Sequence, residues 1–296
     1  MCFFRLCFLI LVFLDPLPVK GSDLENVPFN QNYGFLWGQE NIRILNQSLE
    51  VQLTLDENSG SGFQSNNKYG SGCFRMRIKL PQKDSTAVIT TFYLISDDGP
   101  TRDEIDFEFL GGKNKQQYIL HTNIFINGQG DREQQFHLWF DPTANFHDYM
   151  LLWNQKQLVF FVDDTPIRVF KNTTDKGGSY PTQEMKIHAT IWTSPWGSGG
   201  VPINWNDAPF EAHYRSFSIN GCQVQSTNIE QCNSSMYWWN DQKFWELSPL
   251  QKQAYNNVWS NYLVYDYCAK QSQSPECRFI CKQILVERIL RGDVIV

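Results

Sequence analysis

The chain is short of charge. Asp, Glu, Lys and Arg make up only 19% of its 296 residues, and the formal balance is −6. That balance excludes a phosphate backbone as the main ligand, because nucleic-acid binding rests on Lys and Arg neutralising phosphates. Histidine is scarce, at five residues, and no Cys-x-x-Cys pair has a matching second pair. Zinc is therefore not expected, nor any other metal or cofactor. Internal repeats and low-complexity tracts are absent. So are helical patterns between residues 48 and about 220.

The apolar run at the amino end, Leu6 to Leu14, is also short. It follows Arg5 and stops at Asp15, and Val19 and Gly21 then offer the small residues of a cleavage site. A membrane span needs about 20 apolar residues, so residues 1–21 read as a secretory signal and not as an anchor. Cleavage there removes Arg5, Lys20 and Asp15 and leaves a mature charge of −7. Six cysteines survive it, and five of them lie after residue 220. In an oxidising compartment that crowding reads as disulfide staples on a C-terminal appendage, with Cys73 buried and unpaired. Asn46, Asn172 and Asn233 each begin an N-x-S/T triplet, which agrees with secretion.

Aromatic residues are abundant: ten Trp, twelve Tyr and 22 Phe make 15% of the chain. They supply a large core, and any surplus suits flat ligands such as sugar rings. Apolar and polar residues alternate with a period of two in SLEVQLTL (Leu49, Val51, Leu53 and Leu55 against Glu50, Gln52 and Thr54) and in FRMRIKL. Both are expected to be half-exposed antiparallel strands. Further strand-like runs are AVITTFYLI, EIDFEFL, QYILHTNIFI, DYMLLWN, QLVFFVDD, IRVF, MKIHATIW and FEAHYRSFSI. So many short strands without helices between them predict an all-β sandwich or jelly roll. One large domain over 22–221 is expected, with an extension over 222–281 and a tail, 282–296, of no evident role. In the extension, Ser248-Pro249 with Gln251 matches a helix N-cap, an N1 proline and a capping-box partner. The predicted helix runs from Pro249 to about Tyr267, with Val258, Tyr262 and Tyr265 as its stripe.

Residues 103–109, DEIDFEF, hold four acids within six positions. On a strand Glu104, Asp106 and Glu108 share one face while Ile105, Phe107 and Phe109 fill the other. Stability alone would not align three like charges. The row makes sense if one carboxyl must hold its proton at neutral pH and another must not, because like charges in a cleft push their pKa values apart. Glycoside hydrolysis needs that division: one acid protonates the departing oxygen, and a second carboxylate attacks or steadies the anomeric centre. A solvated acidic face and a calcium site are the plainer readings. Against calcium, Glu104 and Glu108 lie about 13 Å apart at Cα in a straight strand. A retaining pair needs carboxyls about 5 to 5.5 Å apart, so the strand must twist or its side chains must lean inward.

DEIDFEFLG resembles the active-site strand of the plant xyloglucan endotransglucosylase/hydrolase family, a branch of the laminarinase-like retaining glycosidases. The resemblance extends through REQQFHLWFDPTANFHDYMLLWN (Arg132 to Asn154), VDDTPIRVFKN (Val162 to Asn172), WNDAPFEAHYRSFSINGC (Trp205 to Cys222), YDYC and PEC, from about Asn26 to Cys277. It implies a concanavalin-like β-jelly roll with a concave cleft. Glu104 matches the nucleophile, Glu108 the general acid/base, and Asp106 the residue between them that hydrogen-bonds the nucleophile. His121, Asn123, Arg132, Glu133, Gln134 and Gln135 match residues bordering that strand, with Asn123 and Gln134 expected to meet sugar hydroxyls. Arg168 could equally be structural. Trp192, Trp196 and Trp205 match the acceptor side of the cleft.

The same resemblance pairs Cys222 with Cys232 and Cys268 with Cys277, leaving Cys281 over. Arg102 departs from the family, which commonly has histidine there, and brings a positive charge beside the carboxyls. The usual sequon just after the motif is missing. The loop before Trp205 is short, which in this family favours transfer over hydrolysis. The implied function is a secreted enzyme of the cell wall and apoplast. It would cut the β-1,4-glucan backbone of xyloglucan and rejoin the cut end to another chain or to water. It is expected to be a monomer whose partners are a polysaccharide donor and a polysaccharide or oligosaccharide acceptor, with neither nucleic acid nor membrane involved. The alternatives are the same chemistry on mixed-linkage glucan or cellulose, and a glucan-binding lectin.

Overall fold

The structure, a computed structural model, describes residues 27–97, 99–112, 118–224, 229–270 and 274–277. The expected leader, Cys281 and the tail over 282–296 lie outside the described residues. A first turn, α1 (Phe29–Asn32), precedes β1 (Tyr33–Trp37), β2 (Ile42–Leu45), β3 (Glu50–Leu55), β4 (Ser61–Ser65), β5 (Lys68–Lys79), β6 (Val88–Ile95), β7 (Glu104–Leu110) and β8 (Ile119–Phe125). There follow β9 (Gln134–His137), β10 (His147–Trp153), β11 (Gln157–Val162), β12 (Thr165–Lys171), β13 (Lys186–Thr193), β14 (Phe210–Arg215), β15 (Asn220–Val224), α2 (Pro249–Asn261) and β16 (Leu263–Asp266). The strands pair antiparallel in two sheets. One sheet runs β1-β4-β13-β6-β7-β8-β9-β16. The other runs β12-β11-β10-β5-β14-β3-β2, with β15 added against β5. The all-β sandwich is therefore as expected, and among the described residues no helix is long and apolar enough to cross a membrane.

The core lies between the sheets and is largely aromatic. From β7, Phe107 meets Phe160 of β11 edge-on with centroids 5.1 Å apart, and Phe109 meets Tyr149 of β10 at 4.6 Å. Ile105, Phe107 and Phe109 are fully buried. Edge-to-face pairs of this kind add about 0.5 to 1.5 kcal/mol each beyond their buried area, so they lock the inner face of β7 onto the opposite sheet. Its outer face is then fixed by alternation.

Two expectations need correction. SLEVQLTL forms β3, but its polar residues are covered: Glu50 and Gln52 are only 5% and 6% exposed. Arg215 and His213 on neighbouring β14 bind the Glu50 carboxylate at 2.6 Å and 2.7 Å, and Gln52 donates to Glu211. Charge complementarity across the strand pair buries them. The helix begins at Pro249 with the Ser248–Gln251 capping box in place, but it ends at Asn261. The following Leu263-Val264-Tyr265 is apolar and β-prone, and it pairs with the open edge of β9 through a bulge between Leu263 and Tyr265. Edge pairing there satisfies backbone groups of both strands.

The extension is thus part of the sheet. Cys222–Cys232 and Cys268–Cys277 are disulfide-bonded, and Cys73 is buried and free. The Trp259 indole donates to the Ile167 carbonyl, and Tyr267 N–H donates to the Glu133 carbonyl. Arg168, 1% exposed, is structural. It donates to the Thr122 carbonyl and hydroxyl at 2.9 Å and to the Arg132 carbonyl at 2.5 Å, beneath the Phe160 and Tyr267 rings. Replacing it with Met strands those buried acceptors, so Arg168→Met is expected to cost about 3 kcal/mol or more in denaturant unfolding. An unchanged midpoint would contradict this role.

Candidate active site

Register places the row of acids. Across β6–β7, Ile95, Tyr93 and Thr91 stand opposite Glu104, Asp106 and Glu108. Across β7–β8, Phe125, Asn123 and His121 stand opposite the same three. Partners in register share a face, so these nine side chains form one patch on the side of the sheet away from the core. The patch is recessed: Asp106, His121 and Asn123 are 4%, 2% and 6% exposed. The fourth acid of the motif has another task. Asp103 is buried and accepts hydrogen bonds from the amides of Asn127, Thr182 and Gln183, clasping two loops to the start of β7.

Two of the three facing carboxyls are pushed toward their protonated forms. Burial, the Glu104 and Glu108 charges and a hydrogen bond to Glu104 raise the Asp106 carboxyl well above the carboxylate range. Burial, then Glu104, then Glu133 push Glu108 up to about 7. Glu104 meets the Arg102 guanidinium, with Nε 2.5 Å from Oε2. The raised Asp106 carboxyl and the cationic Arg102 therefore flank Glu104, while Glu108 can hold a proton near neutrality. His121 Nε2 lies 3.6 Å from Glu108 Oε2, but burial and the Arg168 charge lower the ring to about 4 and keep it neutral. Its Nδ1 is 3.1 Å from the Gln135 amide nitrogen.

The other expected residues are sorted by alternation and by their partners. Asn123 lies in the patch, its Oδ1 accepting from Arg132 N–H. Glu133 is near enough to Glu108 for its charge to act there. Gln134 does not face the patch: it is opposite Thr122 in the core-facing row, 1% exposed, and donates to Asp266 at 2.9 Å. Gln135, opposite His121, is the glutamine on the open face. The Arg132 side chain is spent on Glu276 and on the carbonyls of Gln129 and Gly130, where it ties the extension to the turn before β9. The tryptophans separate too. Trp196 is 56% exposed and edge-on to His121 at 5.3 Å. Trp192, half-buried, is opposite Ile89 in the patch-facing row. Trp205 is half-buried and packs against the main core beside Phe210.

Several residues of this face are not evident from the motif. Tyr93 lies opposite Asp106, and its hydroxyl is 3.2 Å from His188 Nδ1. Trp37 is 39% exposed, and a Cβ added to Gly62 would lie 3.0 Å from its indole nitrogen, so glycine lets the ring lie flat on β4. Tyr265 of the extension stands opposite Gln135 at the sheet edge. Their only signal in the sequence is strand alternation, and it becomes readable once the registers are known.

The sequence model for glycosyl hydrolases family 16 matches residues 29–207, which gives the class. Among solved structures, a Bacillus licheniformis β-glucanase has the same fold, with TM-score 0.54 and 22% identity over 65% of this chain and 93% of that one. Xyloglucan endotransglucosylase/hydrolase protein 2 of Arabidopsis thaliana is 46% identical over 287 residues, 94% of this chain and 97% of the relative. Putative xyloglucan endotransglucosylase/hydrolase protein 1 of the same plant is 48% identical over 256 residues, 85% of each. The chain belongs to glycosyl hydrolases family 16, in its xyloglucan endotransglucosylase/hydrolase branch.

The raised Glu108 carboxyl is a stability statement as well. The folded protein keeps a proton there that the unfolded chain loses near 4.5, so its contribution is full below that pH and is lost as pH rises through about 7. Glu108→Gln should therefore be more stable than the parent at pH 8, by up to about 3 kcal/mol, and close to it at pH 4. Urea midpoints at the two pH values check the sign.

Proposed function

We propose that this protein is a retaining endotransglucosylase that cleaves the β-1,4-glucan backbone of xyloglucan and passes the cut end to another xyloglucan chain, with water as a lesser acceptor. The observation that carries the proposal is the row on β7: Glu104 lies between the raised Asp106 carboxyl and the Arg102 guanidinium, and Glu108 holds its proton to about 7. The names of the Arabidopsis relatives support xyloglucan as the substrate.

In this reading Glu108 gives its proton to the departing glucosyl oxygen while a Glu104 oxygen forms a bond to the anomeric carbon. Asp106 donates to Glu104 and orients it. The shortened donor then occupies the enzyme as a covalent ester. An acceptor hydroxyl loses its proton to the ionised Glu108 and attacks the same carbon, freeing Glu104. Asn123, Gln135 and Glu133 offer polar atoms to sugar hydroxyls, and Trp196 and Trp37 offer ring faces. The protein is read as a secreted monomer of cell wall and apoplast. Of the three sequons, Asn233 is exposed with no side-chain hydrogen bond among the described residues, whereas Asn46 and Asn172 donate to Glu50 and to the Gln155 carbonyl. Asn233 is therefore the best placed for a glycan.

The assay incubates secreted protein with xyloglucan and a labelled xyloglucan oligosaccharide and follows both incorporation of label and new reducing ends. Incorporation without reducing ends is expected. Binding with neither would leave a lectin. Glu104→Gln should abolish both activities, by at least a thousandfold, while the near-ultraviolet circular dichroism is kept. Glu108→Gln should block polysaccharide cleavage yet spare a donor that carries an already good leaving group. Equal slowing on both donors would place the acid elsewhere. Parent activity should decline as pH rises through about 7, following loss of the Glu108 proton.

Gln134 and Gln135 give a second check. Gln135→Ala should raise the KM for acceptor several-fold with little change in unfolding midpoint. Gln134→Ala should lower the midpoint and leave the acceptor KM unchanged. The reverse pattern would put the other glutamine on the substrate side.

A further inference from the structure

Arg102 sits in the turn that feeds β7, and its backbone is held from two sides. Its N–H donates to the Gly99 carbonyl at 3.4 Å, and its carbonyl accepts from Gly128 N–H at 2.7 Å. Gly128 has φ +78°, and a Cβ there would fall 1.7 Å from the Pro100 carbonyl oxygen, so this contact admits only glycine. The next residue is Asp103, whose buried carboxylate clasps the loops at Asn127 and at Thr182 and Gln183. The side chain is held as well. Its guanidinium carbon is 4.6 Å from the centroid of the Phe125 ring, and Phe125 is the cross-strand partner of Glu104. From there Nε reaches Glu104 Oε2 at 2.5 Å, and the two side chains are 31% and 16% exposed. This is a partly shielded ion pair on a fixed base, built on the residue assigned as nucleophile.

Resting on that assignment, we infer that Arg102 is a positioning residue that shortens the life of the glycosyl-enzyme, because it stabilises Glu104 as a free carboxylate more than as an ester. In the first half of the reaction a Glu104 oxygen bonds to the anomeric carbon, the bond to the leaving oxygen breaks, and that oxygen takes the proton of Glu108. Glu104 loses its full negative charge, and its attraction to the guanidinium falls to that of a charge for a neutral ester. In the second half the ester bond breaks, the charge returns to Glu104, and the acceptor hydroxyl gives its proton to Glu108. A cation fixed beside Glu104 therefore opposes ester formation and assists ester breakdown. The protonated Asp106 acts on the same carboxylate through a neutral hydrogen bond, which an ester oxygen can also accept.

The test uses the secreted protein and its Arg102→Gln and Arg102→Lys forms. Each is mixed with a xyloglucan oligosaccharide bearing a dinitrophenyl leaving group, quenched in acid, weighed as intact protein and mapped for the labelled residue. Arg102→Gln is expected to raise the steady-state fraction of glycosyl-enzyme by about fivefold, the equivalent of about 1 kcal/mol, and to slow its breakdown by a similar factor. Arg102→Lys keeps the charge and should return the fraction most of the way to the parent value. If the Gln protein does not fold, Arg102→His at pH 8, where an ordinary imidazole is neutral, carries the same expectation. A folded neutral variant with the parent's adduct fraction and breakdown rate would overturn the inference while leaving Glu104 as nucleophile. An adduct in the parent protein that maps to another residue would instead overturn the functional reading on which it rests.

Discussion

The structure depends on the burial of Ile105, Phe107 and Phe109 between the two sheets. Because a strand turns successive side chains to opposite faces, anchoring those three inward obliges Glu104, Asp106 and Glu108 outward. A slip of one residue would exchange the faces, putting three carboxyls into an aromatic core, a cost of several kcal/mol per charge. The edge-on contacts of Phe107 with Phe160 and of Phe109 with Tyr149 make that slip sterically specific as well. The alignment of the carboxyl row and the packing of the core are thus one constraint seen from two sides of the same strand.

What surrounds the row decides its chemistry. Low exposure makes charge expensive on Asp106 and Glu108, and their neighbours add to that cost. Arg102 forms an ion pair with Glu104. Asp106, the most enclosed, has its proton stabilised by burial first and by both glutamates next. Burial, then Glu104, then Glu133 push Glu108 up to about 7. His121 could have supplied a competing positive charge beside Glu108, but burial and Arg168 keep it neutral. Arg168 therefore acts twice: it binds the Thr122 and Arg132 carbonyls that hold β8 and β9 in place, and it suppresses a charge next to the acid.

The extension completes this face. β16 covers the edge of β9, and Asp266 engages Gln134 on the core-facing side while Tyr265 extends the row that contains Gln135. Glu276 takes the Arg132 guanidinium, and the Cys268–Cys277 disulfide joins that segment to the end of β16. An exposed sheet edge is an aggregation hazard, so capping it with a cross-linked strand protects the fold and widens the face that carries the acid row in one step.

Much of this was legible in the chain itself. Alternation identified the acid-bearing strand and its two faces; the Ser248 capping box located the start of α2; and the motif singled out Glu104, Asp106 and Glu108 as candidates. Those signals are local, carried by residues two to four positions apart, so composition and period suffice to read them. Other features were not local. Gln134 and Gln135 are chemically identical neighbours, and only pairing with β8 shows which one faces the core. Trp205 and Trp196 belong to one loop, yet one packs on Phe210 and the other on His121. The end of α2 followed from an unpaired strand far away in sequence. The amino-acid order by itself determined the strand pattern, the row of acids and the family. Tertiary structure alone decided which polar residues stand beside that row and which carboxyl keeps its proton, because burial and cross-strand neighbours arise from pairings that no short stretch of sequence contains.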